Sequence, residues 1–226
     1  MLHASGCRNS SGIWFQTRVI WFLACVLALL LAPTPARAQA PTEPIRVPLT
    51  IHVASEDGHA VVSESHILAS VRRANRELAG FGIHLWIREI VPMEGGAQIE
   101  NSDDRYGLAR TIDRDGSVHV FFVDRVALTN PRKGDRRVSG MHWRYHGVAP
   151  DIRSREYLAV AHNAPTTTLV HEVGHAFGLT HDSDNHNLMC SCQRSLQPAF
   201  TERQGRQLRN GARRYLLRHR ARRQRA

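Results

Sequence analysis

Eleven consecutive residues, from His171 to His181, constrain this chain more than any other part of its sequence. They read H-E-x-x-H-x-x-G-x-x-H, so three histidines, one glutamate and one glycine stand at fixed spacing. Side chains four residues apart lie on one face of a helix, and His171 and His175 can therefore direct two imidazoles at one ion. Catalytic zinc commonly takes three protein ligands and leaves the fourth position for water. The pattern predicts a metal site built around one helix.

The glutamate and the glycine explain the rest of the spacing. Glu172 lies beside the first histidine, where it can reach a zinc-bound water without binding the metal and pass a proton from that water to a leaving amine. Gly178 can adopt a positive φ and end the helix. If the helix continued, His181 would lie about 240° around the axis from His175. A break at Gly178 is therefore needed for His181 to be the third ligand.

This motif resembles that of the metzincin zinc peptidases. The resemblance implies one catalytic Zn²⁺ ion held by His171, His175 and His181, with Glu172 as the catalytic residue. It also implies an α+β fold in which a twisted five-stranded mixed sheet and two helices lie above the zinc cleft. A small C-terminal subdomain with a methionine turn and a final helix would lie below the cleft.

The residues after the third histidine extend the resemblance. Met189 follows His181 at the spacing of the matrixin branch, so Met189 and Gly178 are the expected structural residues of the site. The His181-Asp182 pair is similar to the adamalysin branch, in which the aspartate orients the lower loop; a solvated acid is the alternative here. Astacin-like and serralysin-like members have a tyrosine two residues after the methionine, where this chain has Ser191. The branch therefore stays open.

The N-terminal segment predicts export. An apolar run from Ile13 to Leu31 follows Arg8 and is succeeded by Ala36-Arg37-Ala38, a small-residue cleavage signature. Residues 1–38 are therefore expected to be a secretory signal peptide. A membrane anchor is the alternative, but the strongest apolar core, Val19 to Ala32, is shorter than the roughly 20 residues that span a bilayer. We expect a secreted or periplasmic protein.

The remaining residues, 39–226, are long enough for one domain with a real core. We expect a single catalytic domain, with residues 39–180 as its upper subdomain and 181–226 as its lower one. The two cysteines of this part, Cys190 and Cys192, flank one residue. Free thiols, pairing with another chain and a strained internal bridge all stay open, whereas two thiolates alone do not complete a zinc site.

Hydrophobic alternation, helical periodicity and turn residues predict the order of elements. Strands are expected over Ile45–Val53, Phe81–Val91, Val118–Val123, Ser139–Tyr145 and Glu156–Ala161. Helices are expected over Ser63–Leu78, from the threonines at 166–168 into the ligand motif, and from a capping box of Thr201 and Gln204 until the chain frays at about Arg218. The stretches Pro92–Gly116 and Asn130–Arg137 are expected to be polar and irregular.

The formal charge of +10 comes almost entirely from arginine, and Lys133 is the only lysine. Ten arginines lie in the segment Thr201–Ala226. Such a tail favours contact with an anionic surface, although arginine-rich codon usage explains it equally well. No RNA-binding signature and no interleaved aromatic residues accompany it, so no specific nucleic-acid partner is expected.

Two acidic segments, Asp113–Gly116 and Asp182–Asn185, resemble calcium loops only distantly. Both lack the distal bidentate glutamate of an EF-hand, so ordinary turns are favoured over structural Ca²⁺ sites. Other histidines are expected to be surface residues by default, and they include His142, His146, His162 and His186. One of them could stabilise a transition-state oxyanion, but the sequence does not choose among them.

Together these features predict an exported zinc-dependent endopeptidase that hydrolyses peptide bonds by Glu-assisted attack of zinc-bound water. By the resemblance, an extended peptide or protein substrate would add to the edge strand Ser139–Tyr145, although these residues could equally be ordinary sheet packing.

A non-catalytic, zinc-stabilised binding module that uses its basic tail on anionic surfaces is the main alternative. Glu172 argues against it, because holding zinc requires no base. A zinc enzyme acting on another bond is the second alternative. Cleavage specificity and oligomeric state do not follow from the sequence.

Overall fold

The computed structural model describes residues 43–113, 115–130, 134–146, 151–192 and 195–223. The predicted signal peptide lies outside these ranges, so export stays a prediction. In the part of the chain that is described, no helix is both long and apolar enough to cross a bilayer. The residues from Glu43 onward belong to one compact unit.

The described part of this unit contains nine strands and four helices. The strands are β1 (Ile45–Glu56), β2 (His59–Ala60), β3 (Ile83–Glu94), β4 (Gln98–Ile99), β5 (Val118–Val123), β6 (Arg125–Asn130), β7 (Gly134–Val138), β8 (Gly140–Arg144) and β9 (Glu156–Ala161). The helices are α1 (Glu64–Ala79), α2 (Ser102–Thr111), α3 (Thr168–Ala176) and α4 (Glu202–Arg223).

The main sheet is mixed, as predicted. Its five long strands follow the order β3, β1, β5, β9 and β8, and short β2 adds to the end of β1. The first four of these are parallel, whereas β8 runs antiparallel to β9. Strand β8 is therefore an edge strand, and within the described residues its outer edge has no partner strand. The predicted bounds of β5 and β9 are confirmed.

The sequence explains why the central strands form where they do. Every residue of β5 and β9 is buried, as continuous apolar runs are in parallel strands covered on both faces. Helix α1 buries an apolar stripe at helical spacing, formed by Ile67, Val71, Ala74 and Leu78. The side chain of Ser63 accepts the His66 amide at its N-terminus, which satisfies one of the unpaired donors there.

Two segments that were expected to be irregular contain regular structure. Helix α2 begins in the polar stretch because Asn101 and Asp104 form a reciprocal capping box. The expected loop Asn130–Arg137 is wrong in its second half, since Gly134–Val138 forms β7 and pairs antiparallel with β6. Exposed edge strands commonly carry charged residues that block further pairing, and this charge conceals the strand in the sequence.

Helix α4 starts at the predicted capping box, in which the Gln204 amide donates to Thr201 Oγ1 and the Thr201 amide donates to Gln204 Oε1. Its stripe of Leu208, Ala212 and Tyr215 is buried. The predicted fraying at Arg218 is wrong, because Arg218 lies 3.4 Å from the buried carboxylate of Glu156. This contact anchors the last turns of the helix to the sheet.

Close packing between α4 and the end of α3 depends on Gly211. A Cβ at this position would overlap the backbone carbonyl of Phe177, and a backbone atom cannot move aside as a flexible side chain can. We expect Gly211→Ala to destabilise the fold by about 1–3 kcal/mol. Gly107→Ala, in the open space around α2, should instead stabilise it by about 0.5–1 kcal/mol. Urea unfolding of both variants measures the difference, and equal midpoints would contradict the packing.

A buried polar network lies between β1 and β5. His52 Nε2 is 3.0 Å from His119 Nδ1, and His119 Nε2 is 3.2 Å from Asp115 Oδ1. Burial and the neighbouring His119 lower the pKa of His52 from 6.5 to about 4. Burial alone would raise the pKa of Asp115, but hydrogen bonds from His119 and Ser117 hold it well below its usual value.

This network predicts acid sensitivity. Because the folded pKa of His52 lies below its unfolded value of 6.5, unfolding takes up a proton as the pH falls from 6.5 to about 4, and the free energy of unfolding decreases over that window. The slope from one such group is at most about 1.4 kcal/mol per pH unit. We expect His52→Gln to have a shallower slope than the wild type in urea unfolding of the chelated protein. Identical slopes would show that His52 does not carry the effect.

Candidate metal and catalytic centre

Helix α3 presents the motif from a buried position. Leu169, Val170 and Val173 are fully buried beneath it, and the helix ends with Phe177 as its C-cap. Gly178 has a φ of 95°, which glycine adopts without steric cost. Thr167 is the N-cap, although its side chain makes no capping bond. The chain turns at Gly178, as the spacing predicts, and brings His181 back toward the helix.

The three predicted ligands converge on one point. Nitrogen atoms of His171, His175 and His181 lie within 4.8 Å of one another. The Nε2 atoms of His175 and His181 are 3.2 Å apart. Zinc–nitrogen bonds of about 2.0–2.1 Å in a tetrahedron place two ligand atoms roughly 3.3 Å apart. The distance between the Nε2 atoms of His175 and His181 therefore matches that between two ligand atoms of one Zn²⁺ ion.

Hydrogen bonds fix the orientation of two imidazoles. His171 donates Nδ1–H to the Leu188 carbonyl at 2.6 Å, and His175 donates Nδ1–H to the Leu179 carbonyl at 2.9 Å. Each ring then keeps an unprotonated Nε2, the form that binds metals. Burial lowers the pKa of His175, and nearby His181 lowers it further against the effect of the Leu179 bond. Hydrogen bonds therefore preorganise these two imidazoles for a divalent cation.

Met189 lies directly under the ligand helix. It is fully buried, and a Cβ on Gly174 would lie 2.5 Å from its sulfur atom. The Met189 amide donates to Asn187 Oδ1, and the Asn187 and Gln204 side-chain amides bond each other at 3.0 and 3.1 Å. The methionine turn is thus tied to the start of α4.

The segment between His181 and Cys192 closes the lower side of the cleft. The Asp182 amide donates to the Met189 carbonyl at 3.0 Å, and Asp182 Oδ1 accepts the Asp184 amide at 3.0 Å. This local turn favours the interpretation that Asp182 orients the lower loop. Of the three alternatives for the cysteines, the structure has the internal one: Cys190 and Cys192 form a disulfide that lines the cleft.

Glu172 opens on the same cleft, whose volume is about 590 Å³. Its side chain is buried between α3 and the edge strand β8. A Cβ on Gly140 would lie 3.0 Å from Glu172 Oε1 and 2.6 Å from the Thr168 methyl group. Gly140 therefore leaves room for the carboxylate beside the free edge of the sheet.

One pair of residues at the cleft was not predicted. Glu156 Oε1 lies 2.9 Å from His142 Nε2, and the His142 ring stacks parallel to that of His175 at 6.5 Å between centroids. Burial opposes ionisation of Glu156, but bonds to His142 and His219 and the charge of Arg218 hold its pKa well below the usual value. The only signal in the sequence is one acid at the head of an otherwise apolar strand.

The other candidate residues lie elsewhere. Of the four further histidines, His142 alone lines the cleft among the residues described. His162 pairs with Asp124 at 3.0 Å, while His146 and His186 are exposed. The His171, His175 and His181 group is also the only described cluster of three or more side chains suited to a metal. The two calcium-like segments supply no comparable group in the described part of the chain.

Comparison with solved structures identifies the fold. Metalloproteinase-II from Bacteroides fragilis matches 79% of this chain at 15% identity with a TM-score of 0.53. Archaemetzincin from Methanopyrus kandleri matches 77% at 14% identity with a TM-score of 0.51, and mirolysin matches 78% at 11% identity with a TM-score of 0.55. The chain has a zinc-peptidase fold. It spans 58% of the Bacteroides protein, 99% of the archaemetzincin and 96% of mirolysin.

No protein-family model matches the sequence, and no curated protein matches it either. Identities of 11–15% support the shared architecture alone. They assign the chain to no branch of the zinc peptidases. The likeness nonetheless agrees with the geometry, because a mixed sheet and a three-histidine cluster occur together here.

The third-ligand role of His181 can be tested against a neighbouring histidine. We expect His181→Ala to weaken zinc affinity by more than about 100-fold. Losing a residue that only supports a ligand costs up to about 100-fold, and losing a ligand itself should cost more. His186→Ala should leave affinity near that of the wild type, because the His186 side chain is outside the cluster. Competition with a chromophoric chelator measures both. Equal affinities would remove His181 from the ligand set.

Proposed function

We propose that this chain is an exported zinc-dependent endopeptidase of the metzincin type. The observation that carries the proposal is the meeting of three histidine nitrogens, the Glu172 carboxylate and the free edge of β8 in one cleft. A cluster that only retained a metal would need neither the carboxylate nor an open strand edge. Export rests on the N-terminal sequence pattern alone.

The chain's own residues divide the work of hydrolysis. When bound, zinc would polarise the scissile carbonyl and lower the pKa of a coordinated water. Glu172 takes a proton from the attacking water and then gives it to the leaving amine, as a general base and acid in turn. Glu172 follows His171 in the sequence and lines the same cleft, and this position favours both proton transfers.

Strand β8 is suited to hold the substrate. Its outer edge offers backbone N–H and C=O groups to an extended peptide, which would continue the sheet by one strand. Residues from both ends of β8 line the cleft, including Gly140 and Trp143. Pairing with the backbone favours peptides over other substrates, because any peptide supplies the same pattern of donors and acceptors.

Glu172→Ala tests this proposal. We expect the variant to bind zinc and fold as the wild type does, while its kcat/KM falls by about 10²–10⁴-fold, the usual contribution of a general base. A peptide library incubated with residues 39–226 in the zinc-loaded, the chelated and the Glu172→Ala forms measures the loss. Zinc content and circular dichroism of each sample provide the control.

Two outcomes would contradict the proposal. Substantial turnover by Glu172→Ala would remove the glutamate from the mechanism. If the zinc-loaded wild type cleaves no library peptide, endopeptidase activity fails as the function, and binding through the basic helix α4 becomes the alternative to pursue.

A further inference from the structure

The charged side chains that line the cleft carry more positive than negative charge. Apart from the ligand histidines and His142, its charged lining residues are Arg136, Arg137 and Glu172. Glu172 is the only carboxylate among them and is assigned to the proposed chemistry. Both arginines are exposed on β7, so the rim of the cleft at this end is cationic.

These two arginines differ from a neighbouring arginine that is already bound. Arg125, on the adjacent strand β6, lies 2.6 Å from Gln98 Oε1 and 3.4 Å from Glu100 Oε1. No carboxylate among the described side chains lies within ion-pair distance of Arg136 or Arg137. As far as the described side chains show, their charges are available to a ligand, whereas that of Arg125 is engaged within the fold.

The topology sets where a bound peptide meets these arginines. Strand β7 passes into β8 through Ser139 alone. A peptide that pairs antiparallel with β8, the more stable arrangement, runs from the Arg144 end toward the Gly140 end and then approaches β7. Arg137 precedes Gly140 by three residues, or roughly 10 Å of extended chain. Its counterpart on the peptide is a residue C-terminal to the scissile bond.

We propose that Arg136 and Arg137 select substrates that carry acidic side chains within a few residues on the C-terminal side of the scissile bond. This inference rests on the proposed endopeptidase function and names the substrate class for the same cleft. Guanidinium groups bind carboxylates through two parallel hydrogen bonds, so aspartate and glutamate are the side chains that this rim fits.

The expected preference is moderate and depends on salt. An exposed ion pair contributes little, and two arginines at a partly enclosed rim should give roughly a tenfold advantage in kcat/KM over a basic side chain. The preference should decrease from low salt to 0.5 M salt, because the Debye length shortens from about 10 Å at 0.1 M. Selection by shape alone would lack this dependence.

The test compares two double variants that change the net charge equally. Arg136→Glu/Arg137→Glu reverses the cleft rim, and Arg206→Glu/Arg213→Glu reverses two exposed arginines of α4. In a position-resolved peptide library, the wild type and the α4 variant should favour acidic residues C-terminal to the cut by about tenfold. The rim variant should lose that preference or favour basic residues. Arg136→Gln/Arg137→Gln should abolish the preference without reversing it.

Cleavage with no acidic preference in the wild type would overturn the inference and leave the endopeptidase function standing. The same shift in both double variants would also overturn it, because overall charge would then be the cause. A binding measurement separates the inference from turnover. Zinc-loaded Glu172→Ala, titrated with a fluorescent acidic peptide and its lysine counterpart, should bind the acidic one more tightly, and equal affinities would overturn the inference even if no peptide is cleaved.

Discussion

The hydrogen bond from His171 Nδ1 to the Leu188 carbonyl is the contact on which the rest of the centre depends. It joins the ligand helix to the chain segment beneath it, one residue before Met189. That segment is held in turn by Asn187, whose side chain bonds the capping residue Gln204 of the last helix. The orientation of the His171 ring is therefore set by a helix that begins 31 residues later in the sequence.

Glycine makes this compact arrangement sterically feasible at three levels. Gly178 turns the chain after α3, Gly174 admits the sulfur of Met189 under the same helix, and Gly140 leaves space for the Glu172 carboxylate beside the edge strand. A Cβ at Gly174 or Gly140 would meet an atom of Met189 or Glu172, whereas Gly178 is required for its positive φ. Two of the three glycines thus reflect approach distances around the centre, and the third reflects a backbone turn.

How much of this the sequence predicts depends on how local the determining interactions are. The candidate ligands lie within one motif, and β5 and β9 are runs with only one polar residue each, so both were predictable. The pair of Glu156 and His142 depends on the register between β8 and β9, which periodicity does not specify. Strand β7 was missed because its Arg-Arg sequence is typical of a solvated loop. It forms a strand because it pairs antiparallel with β6, a contact that its own residues do not indicate. The disulfide between Cys190 and Cys192 requires a particular backbone turn, and the spacing of the two cysteines does not specify that turn.

The excess of arginine, which the composition presents as one property, divides into physically different roles. Arg209 donates to the carbonyls of Phe81 and Gly82, and Arg218 neutralises the buried Glu156. Arg209 thus holds α4 to the turn before β3, and Arg218 holds it to β9, so neither guanidinium is available to an external partner. Arg136 and Arg137, in contrast, reach the cleft without an internal partner among the described residues. Because Coulomb attraction is screened over about 10 Å at ordinary salt, the proposed recognition of acidic peptides would depend on these two positions and not on the total charge of the chain.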